Sequence, residues 1–148
     1  MDWVELGYLG LFLVSFLAAT ILPFSSDVVL AAMALGPFDW LFLFVVATAG
    51  NWLGGVLMYY IGFAGKTAWL TRYFGINESS VLRAQSYLQK YGAAAAFFVW
   101  VPVIGDPIAV ALGFFKVSPS VSLGWMLVGK AGRYAAILGL MYSGIAYV

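Results

Sequence analysis

The stretch Trp100–Pro107 places two prolines, a glycine and an aspartate inside otherwise apolar sequence. Pro102 and Pro107 each lack a backbone N–H and bias the preceding residue away from helical geometry, so a helix that enters this stretch has to break. The apolar arms on either side, Ala93–Ile104 and Ile108–Phe115, are each shorter than the roughly 18–20 apolar residues that cross a bilayer as a helix. The pattern therefore predicts a re-entrant hairpin, which enters a membrane, breaks and leaves on the same side.

The composition agrees with a membrane environment. Hydrophobic residues make up 64% of the 148 residues and charged residues 9%, whereas a soluble domain carries about 25% charged residues. One membrane domain, residues 1–148, is the expectation for this length. The chain has no cysteine and no histidine, which removes thiolate chemistry and the commonest metal ligand and general base. We therefore predict no enzyme activity, catalytic residue, metal site or cofactor, and the net charge of +1 disfavours nucleic acid as a partner.

A second break lies in the first half of the chain. The apolar run Leu6–Leu22 ends at Pro23–Asp27, and a short apolar run, Val28–Leu35, follows. Whether Leu6–Leu22 spans the membrane or re-enters it stays open at this level. Further on, Leu41–Ile61 is long enough to span and has Asn51 as its one strongly polar residue. The residues predicted to form the two hairpin breaks are Pro23, Ser25, Ser26, Pro102, Gly105 and Pro107.

Small residues and charges mark the remaining segments. Gly50 and Gly54 in the first spanning helix are interpreted as packing glycines that let another helix approach closely. The polar segment that ends at Gly92 is predicted to be an amphipathic helix at the membrane surface, with an ordinary connecting helix as the alternative. The last apolar segment is long enough to span but contains Lys130 and Arg133, two cations at a costly depth.

The two halves of the chain resemble each other at an offset of 79 positions. This offset aligns the prolines and acids of the two breaks, two pairs of glycines, and the polar positions of the two long helices: Pro23 with Pro102, Asp27 with Asp106, Gly50 with Gly129, Gly65 with Gly144, Asn51 with Lys130, and Gly54 with Arg133. A hairpin plus one spanning helix crosses the membrane once, so the second half starts on the opposite face. The predicted fold is an all-α integral membrane protein with an inverted repeat, in which repeat 1 covers about 6–65, the amphipathic linker 66–91 and repeat 2 about 92–148.

Charge predicts the orientation of this fold. One predicted face carries Lys66, Arg72, Arg83, Lys90 and Lys116 together with Glu78, whereas the other carries Asp2, Glu5 and Asp39 and no lysine or arginine. The positive-inside rule then places the linker in the cytoplasm and both termini outside. If Leu6–Leu22 spans fully, the number of crossings changes and this orientation no longer follows.

The order of these motifs resembles the short, YqaA-type branch of the DedA membrane proteins, a superfamily also called VTT or SNARE-associated. The motifs that carry the resemblance are Pro23-x-x-x-Asp27, Gly50-Asn51-x-x-Gly54-Gly55, Arg72-Tyr73-Phe74-Gly75, Trp100-x-Pro-x-Ile-Gly-Asp-Pro107 and Gly129-Lys130-x-x-Arg133-Tyr134. The resemblance implies two facing re-entrant hairpins in a bacterial inner membrane. It also implies movement of lipids between leaflets, including polyprenyl phosphate, with proton coupling. Val99 and Gly105 stand where better-studied members have arginines, so the deep cations of this chain are on the following helix.

The leading hypothesis is thus a flippase-like transporter of an anionic, phosphate-bearing lipid such as polyprenyl phosphate or a phospholipid. Asp27 and Asp106 would exchange a proton, while Lys130 and Arg133, with Asn51 nearby, would hold the phosphate. The alternative is a structural or assembly protein, including a homo-oligomer, in which the ion pairs Asp106–Arg133 and Asp27–Lys130 only pin the hairpins. A membrane enzyme and a small ion channel fit the residues less well.

Overall fold

The computed structural model describes residues 2–19, 25–65, 79, 86, 88–100 and 105–146, and these residues form helices and turns with no strand. The all-α prediction is therefore confirmed for this part of the chain. The described helices are α1 (Trp3–Ala18), α2 (Ser25–Ala34), α3 (Trp40–Phe63), a 3-10 helix (Gly92–Trp100), α4 (Gly105–Phe114) and α5 (Pro119–Ala146).

Local capping interactions fix the starts of α1 and α3. The Asp2 carboxylate accepts a hydrogen bond from the Glu5 N–H at 2.9 Å, and the Glu5 carboxylate accepts one from the Asp2 N–H at 3.2 Å. This reciprocal capping box satisfies N–H groups that the helix itself leaves unpaired. At the start of α3, the Asp39 carboxylate accepts from the Phe42 N–H at 3.0 Å. In both α1 and α3, an acidic N-cap residue therefore defines where the helix begins.

Both predicted breaks fall between described helices and include residues outside the described part of the chain. The first falls between Ala18 and Ser25, and Pro23 lies outside the described residues. The second falls between the end of the 3-10 helix at Trp100 and the start of α4, so Pro102 also lies outside them. Pro107 is in the first turn of α4, where a missing N–H costs no intrahelical hydrogen bond.

The start of α1 lies at the same level as the end of α2 and the start of α3. The Asp39 N–H, at the start of α3, donates to the Tyr8 hydroxyl at 2.9 Å, and the Tyr8 and Phe38 rings lie 5.4 Å apart. A Cβ added at Gly7 would lie 3.4 Å from the Met33 side chain near the end of α2. These contacts bring the start of α1 beside the end of α2.

Helices α1 and α3 then run parallel, but α1 stops first. A Cβ on Gly50 would lie 2.5 Å from the Phe12 carbonyl, and one on Gly54 would lie 2.6 Å from the Phe16 carbonyl. The interpretation of these glycines as packing residues is therefore confirmed. Since Ala19 also contacts Gly54, α1 ends well before Phe63, the last residue of α3. With 16 residues, α1 is about 24 Å long at 1.5 Å per residue.

Helices α3 and α5 are antiparallel and cross near their midpoints. The Trp40 and Tyr142 rings lie 6.1 Å apart at one end of the crossing, and Gly55 faces Met126 beyond its middle. Among the described helices, α3 alone is both long and apolar enough to cross a membrane. Helix α5 is longer, with 28 residues, but less apolar.

The predicted linker helix is described only in part. Ser79, Ser86 and residues 88–91 are helical, and the other residues of 66–91 lie outside the described part. Gly92 has a φ of +59°, a left-handed conformation that glycine adopts without strain and that commonly ends a helix. The predicted helix stop at Gly92 is therefore confirmed.

Two hydrophobic cores lie on either side of the crossing. The first core combines α1, α2, the N-terminal half of α3 and the C-terminal half of α5: Leu11, Leu30, Ala34, Leu43, Ala47, Tyr134 and Leu138. The second core combines the helical residues 88–91, the 3-10 helix, α4, the C-terminal half of α3 and the N-terminal half of α5: Met58, Tyr59, Ile61, Leu88, Ala95, Ala96, Val99, Ile108, Ala109, Val110, Ala111, Leu112 and Met126. Both long helices contribute to each core, and their crossing lies between the two cores.

Candidate functional site

Polar side chains from α1, α2, α3 and α5 gather at the helix crossing. We call this set the polar cluster; its members are Ser15, Ser26, Asp27, Asn51, Lys130, Arg133 and Tyr134. Four of the predicted site residues, Asp27, Asn51, Lys130 and Arg133, are therefore brought together. The fifth, Asp106, lies in the first turn of α4, and its side chain lies outside what the structure describes.

Asn51 joins three helices through its amide. The amide NH₂ donates to the Ser15 carbonyl at 2.9 Å, and the amide oxygen accepts from the Lys130 ammonium. An asparagine suits this position because it can donate on one side and accept on the other. Asn51 is 4% exposed and Lys130 is 2% exposed, so this contact is buried. A buried ammonium needs such polar partners to offset its lost hydration.

A glycine makes room for the Lys130 side chain. A Cβ added at Gly55 would lie 3.1 Å from the Lys130 Cε and 2.5 Å from the Met126 sulfur. The three neighbouring glycines of α3 therefore take part in two different contacts. They are Gly50, Gly54 and Gly55. The first two glycines bring α1 close to α3, and Gly55 admits the lysine stem of α5 between the helices.

Arg133 forms an ion pair with Asp27 in the first turn of α2. The pair is only partly buried, because the Arg133 and Asp27 side chains remain 18% and 27% exposed. One carboxylate oxygen of Asp27 contacts the guanidinium, while the other, Oδ1, is buried with no hydrogen-bond partner. The cluster therefore contains a charge pair whose acid is not fully satisfied.

The ion pair observed at Asp27 differs from the one in the alternative hypothesis. Asp27 was assigned to Lys130, yet it contacts Arg133, while Lys130 donates to Asn51. Arg133 lies three residues beyond Lys130, toward the end of α5 that belongs to the first core, and α2 packs there. The predicted Asp106–Arg133 pair involves a side chain that the structure does not describe.

Besides Ser15, the residue of the cluster that the site prediction missed is Tyr134. Its side chain is fully buried, and its hydroxyl forms a 2.8 Å hydrogen bond with the Ser26 hydroxyl. Ser15 is also fully buried and lies beside the Tyr134 hydroxyl. The sequence signal was available, since Tyr134 directly follows Arg133 in the final motif. Ser26 had been assigned only to the hairpin break.

The cluster lies at mid-height of both long helices. Asn51 is the twelfth of the 24 residues of α3, and Lys130 is the twelfth of the 28 residues of α5. Two cations within one turn of α5, beside a single described carboxylate, make the described part of the cluster positive. Such an arrangement can hold an anion through charge-assisted hydrogen bonds. No group of metal-binding side chains occurs among the described residues.

The described part of the chain is all-α, with one long apolar helix and a buried lysine at the helix crossing, and these are features of an integral membrane protein. Sequence comparisons agree with this class. The chain is 34% identical over 146 residues to inner membrane protein YqaA of Escherichia coli and to that of Shigella flexneri, a match that covers 96% of each chain. It is 36% identical to an uncharacterized protein of Haemophilus influenzae over 93% of this chain and 89% of the relative.

The chain therefore belongs to the YqaA inner membrane proteins, within the DedA family. No protein-family model matches it. No solved structure matches it either.

Proposed function

We propose that the protein is a multi-pass inner membrane protein in which α3 and α5 span the bilayer and both hairpins re-enter it. Support comes from the first hairpin, where the start of α1 lies beside the end of α2 and α1 ends next to Gly54. The contact between Asn51 and Lys130 also supports an inverted repeat, because these residues are 79 positions apart. Residues at equivalent positions of a two-fold repeat meet when they lie on its axis.

Aromatic and charged side chains support the orientation within this proposal. Trp40 and Tyr142 lie together at one end of the crossing, where the Asp39 cap of α3 is also found. At the other end Lys116 lies over the Phe63 ring. Aromatic rings favour the two membrane interfaces, and basic residues favour the cytoplasmic side. A reporter fused after Val148 is then expected outside the cytoplasm, and one inserted between Gly75 and Asn77 inside.

The proposed activity is the movement of an anionic, phosphate-bearing lipid between the two leaflets. The observation that carries it is the position of Lys130 and Arg133, two cations one turn apart at the middle of α5. A phosphate crossing a bilayer meets its largest barrier at this depth, so cations there would lower the barrier where it is highest. Arg133 supplies a planar donor pair that matches phosphate oxygens, and Lys130 supplies a compact charge.

Proton coupling through Asp27 and Asp106 is part of the same proposal. A carboxylate that neutralises Arg133 competes with a phosphate for the same guanidinium. Protonation of Asp27 would weaken this competition, since the neutral acid no longer attracts the cation. Membrane lipids, with polyprenyl phosphate and phospholipids as the leading classes, are the proposed partners.

The second candidate is a structural or assembly protein that moves no lipid. It is favoured by one observation: Arg133 and Lys130 already have partners within the chain, Asp27 and Asn51. Buried polar contacts of this kind can serve only to fix how helices pack. The two candidates differ in what happens when the cations are replaced.

Reconstitution into vesicles separates them. The full chain would be tested with fluorescent lipid phosphates and phospholipids, with and without a pH gradient, alongside Lys130→Gln, Arg133→Lys and the matched control Lys90→Gln, which changes an exposed lysine. Transport of a phosphate-bearing lipid that survives in the control and falls in the two cluster variants supports the flippase. Vesicles that stay inactive with every lipid, although the protein is folded, support the structural role.

A further inference from the structure

We propose that Ser26 and Tyr134 are positioning residues that hold Asp27 against Arg133, so that the first turn of α2 covers the guanidinium until α2 moves away. This inference rests on the proposed function in one respect, because the anion that reaches Arg133 is taken to be a lipid phosphate. The covering of Arg133 itself follows from contacts among the described residues.

Two adjacent residues of α2 meet two adjacent residues of α5. Ser26 bonds to Tyr134, and Asp27 pairs with Arg133. Adjacent side chains on a helix point about 100° apart at 3.6 residues per turn, so both contacts form together only in a narrow range of helix positions and rotations. The hydrogen bond between the two hydroxyls therefore fixes the rotation of α2 that brings Asp27 onto Arg133.

The two cationic residues of the cluster differ in how far they are exposed. The Arg133 side chain is 18% exposed, whereas Lys130 is 2% exposed. An anion that approaches the cluster therefore meets Arg133 first, and Asp27 is the group that it must displace. Since Asp27 and Ser26 both belong to the first turn of α2, displacement of one strains the contact of the other.

Helix α2 is well suited to move because only one of its sides is packed. Leu30 and Ala34 are buried in the first core, whereas Val28 and Ala32 are exposed. Movement of α2 would expose the groups beneath it near the Tyr134 hydroxyl. Ser15 is one of these groups, since it is fully buried and lies beside that hydroxyl.

Ser15 offers a reporter of this movement. Ser15→Cys replaces one side-chain oxygen by sulfur, so it nearly keeps the shape of this buried side chain beside the Tyr134 hydroxyl. The natural chain has no cysteine, so the introduced thiol is the only one. The rate at which a water-soluble methanethiosulfonate reagent labels this thiol measures how often α2 opens.

The decisive comparison is between two tyrosine variants in the Ser15→Cys background. Tyr134→Phe removes the buried hydroxyl and keeps the ring, and Tyr142→Phe makes the same change at an exposed tyrosine of the same helix. Loss of one buried hydrogen bond is expected to raise the labelling rate roughly two- to ten-fold in the Tyr134→Phe variant. Ser26→Ala is expected to act in the same direction. Equal rates in the Tyr134→Phe and Tyr142→Phe proteins would overturn the proposal.

A second thiol distinguishes local opening from general loosening. Ala111 is fully buried in the second core, so Ala111→Cys reports unfolding that is not confined to α2. Tyr134→Phe is expected to leave its labelling rate unchanged. An equal rise at both thiols would show that Tyr134 only stabilises the fold, and it would also overturn the proposal.

Binding of a short-chain lipid tests the covered site. Dihexanoyl phosphatidic acid is expected to raise the thermal unfolding midpoint, with dihexanoyl phosphatidylcholine as the comparison lipid. Because closed α2 lowers the apparent affinity, Tyr134→Phe is expected to tighten phosphatidic acid binding by the same two- to ten-fold factor. Faster labelling with unchanged affinity would show that α2 does not cover the anion site, against the proposal. If neither protein binds the lipid, the proposed function fails, and the two labelling comparisons still decide the positioning role.

Discussion

Helices α2 and α4 each follow one of the two proline-containing breaks predicted from the sequence, yet different contacts hold the two helices in place. Residues 108–112 of α4 are all fully buried, so this helix is covered on every side. Helix α2 buries Leu30 and Ala34 but leaves Val28 69% exposed and Ala32 exposed as well. Helix α4 thus has the surroundings of a core element, whereas α2 lies at the surface of the protein.

The contacts that hold the two helices also differ in kind. Gly62 of α3 and Gly113 of α4 bring the two backbones together, since a Cβ at either position would collide with the backbone of the other helix. Helix α2 is joined to α5 by the Ser26–Tyr134 and Asp27–Arg133 contacts. Backbone packing is lost when helices separate, but a polar pair can exchange one partner for an anion. The comparison therefore identifies α4 as the fixed arm and α2 as the arm that can move.

The largest effect is expected from a side chain at the α3–α4 contact. Gly113→Val would place atoms against the Tyr59 carbonyl and the Phe63 nitrogen, which cannot move aside as a side chain can. We expect a cost at or above about 3 kcal/mol and little folded protein. Gly132→Val is the control, because a Cβ there meets nothing within 4 Å. Thermal unfolding in detergent measures both, and a stable Gly113→Val variant would contradict the rigid contact.

Truncation of one buried side chain in each core compares the cores directly. Ile108 and Leu30 are both fully buried, and a change to alanine typically costs about 2–5 kcal/mol, with the least cost where the surroundings can close over the cavity. We expect Ile108→Ala to cost about 4 kcal/mol, because α4 is enclosed, and Leu30→Ala about 2 kcal/mol, because α2 can shift inward. The two variants should be compared by denaturant unfolding. A larger cost for Leu30→Ala would reverse the assignment of the fixed and mobile arms.

The ion pair is expected to have a smaller effect, since it is partly exposed to solvent. Asp27→Asn should cost about 1–2 kcal/mol, and a cycle that combines it with Arg133→Gln should give a coupling free energy of about 1 kcal/mol. A parallel cycle with Asp106→Asn tests the acid that the sequence assigned to Arg133. Coupling only in the Asp106 cycle would mean that α2 is not held through Arg133.

The smallest effect concerns the start of α3, next to the first core. Asp39→Ala removes the acceptor for the Phe42 N–H and should lower the free energy of unfolding by about 1 kcal/mol. Asp39→Asn keeps the cap and removes only the charge, so it should be close to wild type in stability. Equal losses in the two variants would assign the effect to charge rather than to the hydrogen bond.

Much of the local structure could be predicted from the sequence. The length of the apolar run predicted α3, which extends only one to two residues beyond the predicted Leu41–Ile61 at each end. Close packing at Gly50 and Gly54 was also predicted correctly, because a missing Cβ has the same consequence wherever helices meet. The depth of Lys130 followed from its position in a long apolar segment. These features depend on residues close together in the chain.

The partners within the polar cluster were decided by tertiary structure alone. Asp27 and Arg133 are 106 positions apart, and Ser26 and Tyr134 are 108 apart. Which acid reaches which cation depends on how α2 and α5 are shifted and rotated against each other, and a difference of three residues along α5 exchanges Lys130 for Arg133. Helical periodicity determines which residues share a face of one helix. The packing of the first core determines which part of the neighbouring helix each of these residues contacts. For this reason the sequence identified the charged residues of the site, and the fold selected their contacts and added Tyr134.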